Sequence, residues 1–226
     1  MSKKTNQQEN AMEEIASKSE RFVEKNVSKI LTVVLIIIVL VAGIFAYFQF
    51  VKKPKAQKAL SESYVAEDLF INGEDSAALY GQNGHKGLLA IAKEYSSTET
   101  GNLSHAYAGI CFYDMGKYQE ALEELKKFSA DESVVAPSIE RLIGDCYVQL
   151  KKPEEAVKAF EKAAKDADND AISPLCLVKA GHVYETLKQY DKALNCYKQI
   201  KDKYYTAPEA ETVDADIMRV EAQIKK

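Results

Sequence analysis

The sequence is short of the residues on which most catalytic and metal-binding domains are built. It has no tryptophan, and its three histidines, His85, His105 and His182, stand far apart. There is no HExxH, no CxxC and no pair of histidines one helical turn apart, so a metal centre has no ligand framework. Serine and cysteine nucleophile signatures are absent. Gly81, Gly84 and Gly87 cluster, but no GK[ST] follows them and no strand precedes them, so they read as a flexible connection rather than a phosphate loop. The paired carboxylates Glu123/Glu124, Glu154/Glu155 and Asp214/Asp216 fall on exposed helix positions, where solvation explains them better than acid–base chemistry. An excess of positive charge is also missing. Residues 52–226 carry 24 basic and 29 acidic side chains, the opposite of a nucleic-acid-binding face. These absences predict a chain that is not an enzyme, needs no cofactor and takes neither nucleic acid nor a small-molecule substrate.

One stretch lacks charge of either sign. Ile30 to Val51 (ILTVVLIIIVLVAGIFAYFQFV) runs for 22 residues between Lys29 and the Lys52-Lys53-Pro54 flank. As a helix it would be about 33 Å long, enough for a hydrocarbon core of about 30 Å. Gly43 and the cluster Phe45, Tyr47, Phe48 and Phe50 suit a span with an aromatic interfacial end. A cleaved signal peptide fits poorly, because the run is too long, begins too late and is followed by no A-x-A-like site. A buried soluble helix fits worse, since no polar face interrupts it. The chain therefore divides into a tail (1–29), a transmembrane helix (30–51) and an acidic domain (52–226). The tail is polar, and its segment 13–29 reads equally as a surface-lying helix or as a disordered end.

What the domain has in abundance is a repeat. The pairs Gly109/Ala121, Gly144/Ala156 and Gly181/Ala193 each place a small residue twelve positions before another. An aromatic follows each glycine by three positions (Phe112, Tyr147, Tyr184), and a large residue follows each alanine by four (Leu125, Phe160, Tyr197). The small residues let two antiparallel helices approach, and the large ones fill the space between pairs. One such pair cannot bury its own apolar face, so copies stack. This is the tetratricopeptide pattern, and it predicts an all-α, tetratricopeptide-like α-solenoid of about four helix pairs plus a C-terminal capping helix. The expected helices are 56–71 and 88–95 for a degenerate first pair, then 102–115 with 118–129, 136–150 with 154–166, 172–187 with 190–203, and the cap 207–226. Segment 72–87 reads as a flexible connection with a short apolar island at Ala77–Tyr80. Cys111 and Cys146 each stand two residues after a repeat glycine, which favours small-apolar packing for the cysteines, although their even number leaves a disulfide open in an exported domain.

In such arrays the first helix of each pair lines an inner groove. The positions facing it are Ile110, Tyr113 and Asp114, then Arg141, Asp145 and Gln149, then Val178, His182 and Glu185. This mixture suits an extended peptide or a partner helix, with Tyr113 and Arg141 as anchors and Asp145 and Glu185 setting register and charge preference.

The chain also resembles a known family. FVEKN (22–26), ALYGQNGHKGLLAIAKEYSSTETGNLSHAYAGICFYDMGKYQEALEELKKF (78–128), IGDCYVQLKKPEEAVKAFEKAA (143–164) and PLCLVKAGHVYETLKQYDKALNCYKQIKDKY (174–204) are similar to the YfgM-like ancillary subunits of the SecYEG translocon, in the form found in Bacteroidetes-type bacteria. The resemblance implies a cytoplasmic tail, a single inner-membrane span and a periplasmic repeat domain. It implies as partners the Sec translocon, a membrane-anchored periplasmic chaperone and exported clients. Charge does not orient the span by itself, because Lys18, Arg21, Lys25 and Lys29 on one side balance Lys52, Lys53, Lys55 and Lys58 on the other. A cell-envelope scaffold unrelated to export would use the same repeats.

Overall fold

A computed structural model describes residues 2–130 and 134–225, with side chains from Lys25 onward. The expected link 131–135 falls largely outside the described residues, as do the side chains of Ile15, Phe22 and Val23 in the tail. The chain forms two units, 1–54 and 55–226.

The first unit is helical. Helix α1 runs Ser2–Tyr47, and the helical stretch Lys25–Ile71, which begins within it, is the one among the described residues long and apolar enough to cross a membrane. Between Phe48 and Lys52 the backbone widens into a π-turn, in which the Lys53 N–H donates to the Phe48 carbonyl. Sequence explains the change: Pro54 has no N–H to donate and its ring would press on the carbonyl four residues back. Helix α2 (Lys53–Ile71) follows, so the helical backbone begins earlier than residue 56.

The second unit is built from helix pairs, and all its described regular structure is helical. Helices α5 (Glu99–Asp114) and α6 (Tyr118–Leu125), α7 (Val135–Gln149) and α8 (Pro153–Ala167), and α9 (Ser173–Thr186) and α10 (Tyr190–Lys203) are the three regular pairs. Helix α11 (Pro208–Ile224) closes the chain. The repeat glycines sit where two helices meet most closely. A Cβ on Gly144 would stand 2.5 Å from the Phe160 ring, and one on Gly109 or Gly181 would stand 2.5 Å from Leu125 or 2.4 Å from Tyr197. Each glycine is thus the socket for the large residue sixteen positions on. Leu125, Phe160 and Tyr197 are at most 1% exposed. The core runs along the array as two clusters, with Tyr147 packed against both.

The turn inside each pair is closed in the same way every time. Lys117, Lys152 and Gln189 donate back to the carbonyls of Phe112, Tyr147 and Tyr184, at 2.8, 2.9 and 2.8 Å. The preceding residue is left-handed in each case: Gly116 (φ 74°), Lys151 (φ 57°) and Lys188 (φ 58°). Glycine adopts that conformation freely, whereas each lysine holds it at a cost of about 1–2 kcal/mol that the surrounding helices offset.

Three expectations need correction. Helix α5 begins at Glu99 rather than 102, because the Thr98 hydroxyl accepts from the Gly101 N–H at 3.1 Å and caps the helix. Helix α6 ends at Leu125, four residues early. Segment 72–87 is not simply a connection: Asp75–Tyr80 forms a helix, α3, that packs on α4 (Leu88–Glu94) and α5. Ala78 and Leu79 within α3 are completely buried. Six residues cannot sustain a helix alone, so this one is held by tertiary packing and leaves no periodicity to read. Lys86 pins the rest of the segment, bonding Glu62 of α2 and Glu94 of α4 at 2.6 Å each.

Candidate functional site

The residues expected to line an inner groove fall on the first helices of successive pairs, α5, α7 and α9. Tyr113 of α5 is half-buried, with its ring edge-on to Tyr118 at 5.4 Å between centroids. Burial raises the pKa of its hydroxyl, and the Asp145 carboxylate nearby raises it further, while Arg141 opposes the shift. Tyr113, Arg141 and Asp145 therefore form one neighbourhood across α5 and α7. Asp145 is its electrostatic centre. Arg141 donates to it from one turn away at 3.2 Å, and Lys179 of α9 donates at 2.7 Å. Two cations on one carboxylate leave the spot net positive, and both cations remain about a third exposed. Ile110 and Val178 are partly buried against the core, and Gln149 is exposed. Asp114 is exposed at the other end of the row, and its pKa is raised by partial burial and by the Asp75 carboxylate of α3.

Toward the C-terminus the row is filled by the chain itself. Glu185 accepts from the Tyr197 hydroxyl at 2.7 Å and from Arg219 of α11 at 2.7 and 3.0 Å. Its pKa is lowered chiefly by that arginine. His182 stays more than half exposed, 3.9 Å from Asp216. Glu185 is therefore not a free carboxylate, since Arg219 and Tyr197 occupy it. The Asp145–Lys179, His182–Asp216 and Glu185–Arg219 contacts all join residues 34 apart, slightly less than the 35 and 37 residues between successive repeat glycines. Sequence reasoning missed Lys179, Asp216 and Arg219, which later helices of the array bring to Asp145, His182 and Glu185.

The four cysteines are buried and unpaired. Burial pushes the thiols of Cys111, Cys146 and Cys196 up to about 12 and that of Cys176 to about 11. Native chain at pH 8 is expected to resist a thiol-specific reagent, with four equivalents reacting only after unfolding. Because the folded thiols ionise later than free ones, their contribution to stability is intact below about pH 9 and is lost as pH rises toward 12. Among the described residues no group of three or more His, Cys, Asp and Glu is placed to hold a metal.

Comparison with known proteins agrees with this geometry. Residues 66–163 match the family described as anaphase-promoting complex, cyclosome, subunit 3, and residues 176–201 match the tetratricopeptide repeat. A TPR repeat-containing protein of Methanocaldococcus jannaschii is 29% identical over 124 residues, covering 54% of this chain. The chain spans only 21% of that relative's length. Among solved structures, nearly identical TPR-like repeats of a kinesin light chain from Podosopora anserina superpose with a TM-score of 0.55 at 13% identity, covering 75% of this chain and 88% of that one. MamA protein superposes at 0.53 and 15% identity, covering 73% and 88%. The fold is that of a tetratricopeptide-like solenoid, a class that generally serves as a non-enzymatic module for binding other proteins.

Proposed function

We propose that this chain is a membrane-anchored protein-binding module that acts as an ancillary subunit beside the Sec translocon. On this reading, 1–29 is a cytoplasmic tail, 30–51 the inner-membrane span and 52–226 a periplasmic repeat domain. Its partners are the channel, a membrane-anchored periplasmic chaperone and exported clients. The observation that carries the binding role is the row Tyr113–Arg141–Asp145, which presents an aromatic and a guanidinium on neighbouring inner helices. The translocon assignment is supported by the family resemblance of the sequence, and the apolar segment of α1 supports the anchor.

Tyr113 and Arg141 are the anchors in this proposal. Asp114, Gln149 and His182 line the same row, while Asp145 and Glu185, held by cations, set its register. Tyr113→Ala or Arg141→Ala is expected to weaken partner capture by about 1–2 kcal/mol, roughly 5–30-fold in Kd. Crosslinking in native membranes tests the assignment, with recovery of the channel and the chaperone as the expected result. Recovery of neither above background, with exported proteins maturing normally and the envelope misshapen in a deletion strain, overturns it in favour of an envelope scaffold.

A further inference from the structure

Two Asn-Gly steps stand close together in the sequence, Asn72-Gly73 and Asn83-Gly84, and all four residues are exposed. Asparagine before glycine is prone to cyclise, because the following nitrogen is unhindered by a side chain and can reach the carboxamide carbon. The fold treats the two steps differently. Asn72-Gly73 ends helix α2 in a Schellman motif: Glu74 donates to the Leu69 carbonyl at 2.9 Å and Gly73 to that of Phe70 at 3.0 Å. Gly73 takes the left-handed conformation that this helix end requires (φ 75°). Its nitrogen is therefore committed, and it can attack Asn72 only after the helix end opens.

Asn83-Gly84 is the apex of a two-residue turn. Both residues have positive φ, 51° and 80°, and His85 donates to the Gln82 carbonyl at 2.9 Å, the pattern of a type I′ turn. Among the described residues neither the Gly84 N–H nor the Asn83 carboxamide has a hydrogen-bond partner. The turn is carried on a loop closed at its neck, where a Cβ on Gly87 would stand 2.4 Å from the Gly81 nitrogen.

We infer that Asn83 is a site of spontaneous modification, at which the chain deamidates through a succinimide while folded. Hydroxide takes the Gly84 amide proton, and that nitrogen bonds to the Asn83 Cγ. The carboxamide C–N bond then breaks, and ammonia leaves with a proton from water, which returns the hydroxide. Water opens the ring at either carbonyl, giving aspartate or isoaspartate at this position. The isoaspartyl product adds one main-chain atom to the closed loop. It also puts a carboxylate three residues before Lys86, whose ammonium already serves Glu62 and Glu94.

The test incubates the full chain in detergent micelles in mildly alkaline buffer and follows both sites by peptide mass spectrometry. Labelling with an isoaspartyl methyltransferase counts the isoaspartate. In the folded chain, product at Asn83 should form about tenfold faster than at Asn72, since two backbone hydrogen bonds guard only the latter. In urea the two rates should converge, because the residue pairs are chemically alike. Hydroxylamine, which cleaves a chain at a succinimide, should cut the folded chain after Asn83 but not after Asn72. Asn83→Gly keeps the positive φ of the turn, removes the carboxamide and should abolish modification there, with the rate at Asn72 unchanged. Equal rates at both sites in the folded chain, faster reaction at Asn72, or product at Asn83 only in urea overturns the inference.

Discussion

Phe160→Ala is expected to destabilise the repeat domain by about 3–5 kcal/mol, the range for removing a fully buried phenylalanine. The side chain is 1% exposed and fills the socket that Gly144 leaves open between α7 and α8. Loss of the ring leaves both walls of that contact without partners, and neither helix can close the gap while Tyr147 and the flanking pairs hold the spacing. Against a total of about 5–15 kcal/mol for a domain, this is enough to unfold the middle of the array under mild denaturant. Urea titration followed by circular dichroism checks it. A shift of less than about 1 kcal/mol would show that the Gly144–Phe160 contact is peripheral.

Ending the chain at Thr206 is the second large perturbation. It removes α11, whose Val213 and Val220 are completely buried in the cluster that holds Tyr197 and Ile200. Burying a valine contributes about 1.5–3 kcal/mol, so the two together account for about 3–6 kcal/mol. Arg219 also leaves Glu185 and Asp216, but its side chain is 47% exposed, and a solvated ion pair contributes about 1 kcal/mol or less. Apolar burial therefore dominates, and the truncated chain should both melt earlier and aggregate through the bared face of α10. Arg219→Ala separates the terms: it should reproduce only a small part of the loss. If Arg219→Ala destabilises as much as the truncation does, the helix acts through its charges and the apolar account fails.

The parts of this architecture that could be read from the sequence are those repeated in register. Gly109, Gly144 and Gly181, each with its large residue sixteen positions on, specified the helix pairs before any contact was known. The turn at Gly116 was equally visible, because glycine advertises a left-handed backbone. Lys151 and Lys188 adopt the same conformation without advertising it, since the requirement there comes from the helices on either side. Helix α3 was invisible for a related reason: its six residues are helical only because Ala78 and Leu79 are buried by α4 and α5. In the candidate site, the positions expected to face a groove came from helical geometry, which says nothing of their pairing. Asp145 and Glu185 read as free carboxylates, and only the placement of α9 and α11 brings Lys179 and Arg219 to them.

The claim on which the functional reading rests is that partners are held by the inner face of the array. The most direct measurement places a photo-crosslinking side chain at Gln149, an exposed position of the proposed row on α7, and separately at Lys165, an exposed position on the second helix of the same pair. Illumination of intact membranes should give discrete partner adducts from Gln149 that disappear in the Tyr113→Ala/Arg141→Ala background, with none of the same size from Lys165. Equal adducts from both positions, or Gln149 adducts that persist without Tyr113 and Arg141, would contradict it.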